Sequence, residues 1–194
     1  MGAFCSNCGG RCVEVCNSSD NPFYTLSVSQ LDNPTVVVPI EELAAEEGVF
    51  FAVSTGPTNV PANGFLALQI TNPAGSGKEI VISRLSGGAT VNTTISVLRN
   101  GSFPAAGTAL TPRNTNFSAS DNSIATAKFI SQSSDPTVGG VLINSIVQPG
   151  GVFVIEYTGR VRVTPNTTLL VRTTNNTNQT NLLSLNISYW EENI

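Results

Sequence analysis

In the run Leu183-Ser184-Leu185-Asn186-Ile187-Ser188-Tyr189 every second side chain is apolar. Side chains of an extended strand alternate between two faces, so this run makes one face for a core and one for solvent. Leu66-Ala67-Leu68-Gln69-Ile70 and Val161-Arg162-Val163 repeat the pattern. From Pro22 onward, β-type runs are expected at 23–29, 35–40, 49–54, 64–71, 79–85, 89–99, 125–130, 140–147, 152–157, 160–163, 167–173 and 182–190. Asn72-Pro73, Pro149-Gly150-Gly151 and Thr164-Pro165-Asn166 separate them with turn chemistry. One helical turn is expected over 41–47, stopped by Gly48, with its carboxylates forming a solvated surface. The stretch 101–123, rich in Thr, Asn and Ser, reads as a long surface loop. So many short strands with almost no helix predict a β-sandwich or barrel.

All four cysteines, Cys5, Cys8, Cys12 and Cys16, fall in the first 16 of 194 residues. A disulfide staples a fold by joining segments far apart in the chain, and the remaining residues offer no partner thiol. We therefore read residues 1–21 as a Cys-rich N-terminal connector arm and 22–194 as the β domain. The spacing C-x2-C-x3-C-x3-C leaves three readings. The thiolates could hold zinc or an iron–sulfur cluster, although the spacing fits neither a zinc ribbon nor a ferredoxin run. They could pair within the arm, or form intermolecular disulfides with other subunits. Arg11 would favour thiolate in its neighbours. The expectation adopted is the intermolecular one, with no metal and no cofactor. The linker at 17–22 gives the arm its reach.

Charged residues make up 11% of the chain, against the ~25% usual for soluble domains. Lysine occurs only at 78 and 128. A surface of Thr, Ser and Asn has little like-charge repulsion and suits a protein that packs against copies of itself. A net charge of −4 argues against a nucleic-acid partner. No apolar run is long enough to insert in a membrane, and no ordinary secretory signal is visible.

The chain has no histidine, which removes the commonest general base and metal ligand. Gly75-Ser76-Gly77-Lys78 lacks the frame of a phosphate loop, because Glu79 stands where Ser or Thr would bind magnesium. A hairpin turn is expected there. Glu191-Glu192 reads as solvated charge near the chain end. Trp190 and the tyrosines Tyr24, Tyr157 and Tyr189 read as core packing. Eight Asn-X-Ser/Thr sequons read as chance products of the composition. No catalytic residue is assigned, and an enzyme is not expected.

The Cys-rich arm of residues 5–16, Pro-Gly-Gly-Val-Phe-Val-Ile at 149–155, Val-Thr-Pro-Asn-Thr-Thr-Leu-Leu-Val-Arg at 163–172 and Leu-Asn-Ile-Ser-Tyr-Trp-Glu-Glu at 185–192 give the chain its layout. That layout resembles the endospore appendage subunits of Gram-positive spore formers. The resemblance implies an eight-stranded jelly roll, so the expected fold is all-β, a single jelly-roll-like β-sandwich. It also implies a homopolymeric extracellular fibre on the spore or cell surface, joined edge to edge by β-sheet augmentation. Arm disulfides would link neighbouring subunits, and release would follow mother-cell lysis. In the best-known members the arm pairs with cysteines of a neighbour's β domain. This β domain has none, so the analogy implies arm-to-arm pairing here. An anchoring or tip protein is a further possible partner. The open edges are expected at 23–29 and 182–190, where Ser188→Pro or Asn186→Lys would test assembly. The alternatives are a carbohydrate- or receptor-binding jelly roll and a coat or capsid-type shell protein.

Overall fold

The computed structural model describes residues 38–194. The arm of 1–21 with Cys5, Cys8, Cys12 and Cys16, Tyr24, and the strand expected at 23–29 lie outside them. Pro39–Ile194 forms one compact unit. No helix among the described residues is long and apolar enough to cross a membrane.

The unit begins with a helix, α1 (Ile40–Glu46). Glu41 and Glu42 sit in its first turn, where the partial positive charge of the helix start favours carboxylates. Gly48, at φ 73°, ends it in the left-handed conformation that glycine adopts at little steric cost. Of the strand expected over 35–40, residues 35–37 lie outside the described residues, Val38 and Pro39 are not in a strand, and Ile40 belongs to the helix.

Twelve strands follow: β1 (Phe50–Ser54), β2 (Thr58–Val60), β3 (Phe65–Asn72), β4 (Lys78–Ala89), β5 (Thr93–Arg99), β6 (Thr108–Leu110), β7 (Arg113–Asn114), β8 (Thr126–Gln132), β9 (Val141–Gln148), β10 (Gly151–Val163), β11 (Thr167–Asn175) and β12 (Asn181–Asn193). They form two antiparallel sheets packed face to face, an all-β sandwich. The first runs β10-β4-β12-β1-β7, with β2 also on β12, and the second runs β6-β8-β3-β11-β5-β9. Setting aside β2 and β6–β8, the other eight strands lie side by side as β10-β4-β12-β1 in one sheet and β3-β11-β5-β9 in the other. This order is that of an eight-stranded, jelly-roll-like sandwich.

Leu183, Leu185, Ile187 and Tyr189 of β12 face the core between the sheets, as their alternation required. Leu66, Leu68 and Ile70 of β3 meet them from the second sheet. The opposite face of β3 is not solvated as expected. Ala67 is buried in a second cluster with Leu98, Leu170 and Phe103, and Phe103 comes from the 101–123 stretch. The Phe103 N–H donates to Gln69 Oε1 at 3.1 Å, and Lys128 Nζ sits 4.4 Å from the centre of the Phe103 ring. That stretch also forms the short strands β6 and β7, so it is less irregular than its composition suggested.

Three further expectations change. The Gly75–Lys78 turn connects β3 to β4, which belong to different sheets, so it is an arch and not a hairpin. The runs at 152–157 and 160–163 are one strand, β10, interrupted by a bulge between Glu156 and Val161. Glu191 is not solvated. Its side chain is fully buried, ion-paired to Lys78 Nζ at 3.3 Å, and accepts hydrogen bonds from Ser123 Oγ at 2.6 Å and the Ile124 N–H at 2.9 Å. Trp190, Tyr189 and Tyr157 are buried, as expected. Trp190 lies on the outer face of the first sheet, where Ala44 of α1 covers it.

Candidate assembly edge

A strand at the end of a sheet presents unpaired N–H and C=O groups that can template another strand. The strand expected to supply such an edge at 182–190 does not. β12 pairs with β4 on one side and with β1 and β2 on the other. Its apolar alternation fits a central strand as well as an edge strand, and the pairing decides between them. Asn186 and Ser188 therefore lie inside the sheet. Substitutions there report on the fold and not on an assembly edge.

The long free edges belong to β9 and β10 instead. β9 pairs only with β5, and β10 pairs only with β4, among the described residues. The two are consecutive in the chain. Gly150 (φ 136°) and Gly151 (φ 99°) carry the backbone from the last strand of one sheet to the last strand of the other. Both free edges thus lie on the same side of the sandwich.

Several outward side chains along these edges are apolar, and the exposed polar ones are Ser145 in β9 and Glu156, Thr158, Arg160 and Arg162 in β10. Val152 is 82% exposed and Val147 70%, with Val141, Leu142 and Val154 exposed beside them. Phe153 and Tyr157 alternate inward and are buried. Neither strand contains Lys or Pro, the residues that commonly guard an edge. The guard that is present comes late in β10. Between Glu156 and Val161 the strand bulges, with Thr158 (φ 47°) and Gly159 (φ 84°) left-handed. Arg160 braces the bulge by donating from Nε to the Tyr157 carbonyl and from Nη2 to the Glu156 carbonyl, both at 2.9 Å. Burial raises the pKa of the Tyr157 hydroxyl at this point. Asn144 of β9 is its polar neighbour, but the hydroxyl makes no hydrogen bond of ordinary geometry. The stretch before the bulge, Gly151 to Glu156, pairs with β4 without a register shift.

The opposite side of the sandwich is closed differently. There the terminal strands are β7, two residues long, and β6, three residues long. Both belong to the 101–123 stretch, which is tied down by Lys128 Nζ donating to the carbonyls of Phe103 (2.9 Å) and Ala105 (3.1 Å). Asn114 and Asn116 donate to the Gly48 and Glu46 carbonyls at the end of α1. Very short, tethered edge strands offer little template.

The bulge of β10 also borders a cleft of about 410 Å³. Its apolar floor includes Val161 and Leu169, and its rim includes Arg99, Arg160 and Arg162. Arg162 is compensated by Glu79 at 2.8 Å and Glu192 at 2.7 Å. These two carboxylates raise the Arg162 pKa, and the Trp190 N–H together with Arg162 holds Glu192 below the ordinary carboxylate range.

None of the residues read as intermolecular cross-links is among those described. Sequence reasoning also missed the β9–β10 edge and the tip of the long loop, where Phe117 is 99% exposed. The signal for the edge was available in Val152 and Val154, apolar residues at alternate positions of a strand whose other face is also apolar. Of the sequons, Asn175 is fully buried, with its Nδ2 donating to the Pro61 and Gln179 carbonyls. No family model matches the chain, and no curated protein or solved structure is significantly similar to it.

Proposed function

We propose that this protein is a structural subunit that polymerises with copies of itself into an extracellular fibre or appendage, by addition of strands at the β9–β10 edge. The observation that supports this most is the pairing of two long, Lys-free and Pro-free strand edges on one side of the sandwich, flanked by exposed valines. Backbone hydrogen bonds to an incoming strand would supply affinity, and the alternating valines would bury apolar area. In this reading the role is structural and not catalytic. Cys5, Cys8, Cys12 and Cys16 cross-link neighbouring subunits once they are seated.

Negative-stain electron microscopy of the purified chain, with and without reductant, tests this directly. Filaments support the reading; closed shells or dispersed monomers reject it. Electrophoresis of boiled polymer tests the cross-links. The reading expects a ladder of covalent multimers that collapses under reductant and is absent when all four cysteines are serine. Stoichiometric zinc or iron in the purified protein would favour a metal site in the arm instead.

A further inference from the structure

Phe117 is the most exposed large apolar side chain among the described residues, at 99%. It is held out by a braced turn. The Asn116 N–H donates to Asn114 Oδ1 at 2.9 Å, and the Ser118 N–H donates to Asn116 Oδ1 at 3.0 Å. The Ala119 N–H closes the turn on the Asn116 carbonyl at 3.1 Å, and Asn116 Nδ2 is fixed to the Glu46 carbonyl at 3.1 Å. The backbone that carries the ring is thus already ordered and has little conformational entropy left to lose on docking.

The cleft beside the β10 bulge, about 410 Å³, has room for such a ring. Its floor is apolar, and two guanidiniums on its rim, Arg99 and Arg160, have no carboxylate partner among the described residues. Arg160 is already pinned by the carbonyls of Tyr157 and Glu156, so the plane of its guanidinium is set. An aromatic ring against a positioned guanidinium gains cation–π attraction while its body covers the apolar floor. Knob and cleft lie at opposite ends of the first sheet, since Phe117 follows β7 and the cleft borders β10. A contact between unlike patches at opposite ends does not pair off as a two-fold dimer does, and where its rotation does not close a ring it propagates as an open chain. The cleft is also continuous with the β9–β10 edge through Ile143 and Arg160.

We propose that Phe117 of one copy inserts into the arginine-rimmed cleft of the next copy, fixing the direction in which strands add at the β9–β10 edge. This rests on the self-assembly reading and specifies its contact. The test is the critical concentration for polymerisation of the full chain, measured by sedimentation, for wild type, Phe117→Ala, Arg99→Gln and the double variant. Both positions are exposed, so each variant should keep the wild-type unfolding midpoint. Phe117→Ala is expected to raise the critical concentration at least about tenfold, as loss of an aromatic anchor does. Arg99→Gln should raise it less, and the double variant by less than the product of the two. Polymerisation of Phe117→Ala at the wild-type concentration overturns this contact and leaves the edge reading intact. An effect of Phe117→Ala that multiplies independently with Arg99→Gln places the ring elsewhere and also overturns it. Absence of polymer in the wild type overturns both.

Discussion

Phe153 of β10 lies directly across from Gly87 of β4, and its ring fills the space that a side chain at Gly87 would need. The Cζ and Cε1 atoms of the ring would stand 2.7 and 2.8 Å from a Cβ at Gly87, and the Ser184 carbonyl oxygen would be closer still. Glycine is required there by close approach and not by backbone angle. The ring in turn fastens the straight part of β10, next to the free edge, onto the sandwich core.

Gly87→Ala should therefore destabilise the domain by about 3 kcal/mol, because a methyl group cannot be placed without shifting β12 or expelling Phe153. Chemical denaturation of the two proteins measures it. A change under about 0.5 kcal/mol, the usual range for a harmless surface substitution, would show that the packing is looser than described.

Glu191 should behave as a buried structural carboxylate. Glu191→Ala strands the Lys78 ammonium, leaves the Ile124 N–H without its acceptor, and leaves Ser123 Oγ with only its bond to the Tyr189 hydroxyl at 2.7 Å. Breaking one side of such a pair costs about 3 kcal/mol, reduced here because Lys78 keeps a third of its side chain in water. The denaturation midpoint is the readout. Increased protease cutting near Ser123 should accompany the loss, since Glu191 accepts two of the hydrogen bonds that hold that end of the long loop.

The alternation of β12, the two arms of β10 and the short helix were legible because each rests on a local period. Three features were not, for a common reason. The central place of β12 depends on strands far away in the chain, β4 and β1, which flank it; its Leu183 lies across from Ala89 and its Trp190 across from Phe50. The burial of Glu191 depends on Lys78 and Ser123, which nothing in Tyr189-Trp190-Glu191-Glu192 announces. The dry outer face of β3 depends on Phe103, one residue in a stretch that otherwise reads as polar loop. The β10 bulge shows the reverse case. Thr158-Gly159 looked like the end of one strand and the start of another, and it is a kink within one.

Stability should fall toward alkaline pH. Burial raises the Tyr189 hydroxyl pKa far above its ordinary value, the nearby Glu191 carboxylate adds to this, and the bond to Ser123 only partly offsets it. Tyr157 is raised as well, by burial. A group whose pKa is raised by folding contributes stability that is complete below its unfolded pKa, ~10 for tyrosine, and is lost as pH climbs above it. Tyrosinate absorbance of Tyr189 and Tyr157 should then appear together with the loss of strand signal, not before it. At the acid end Glu192, held low by Trp190 and Arg162, works in the opposite sense. Its contribution is present above the ordinary carboxylate range and fades as pH falls through its lowered value.

In this proposal the β9–β10 edge, free of Lys and Pro and bulged only late in β10, drives assembly. The most direct measurement is electron microscopy and sedimentation of a variant carrying Val147→Lys and Val152→Lys, which adds to the edge the charge that natural edges use to block pairing. Both side chains are mostly in solvent, at 70% and 82%, so the unfolding midpoint should stay within the range of ordinary surface changes. A folded, monomeric domain that forms no filaments where the wild type does is the expected result. Filaments of normal length and abundance from this variant would contradict it.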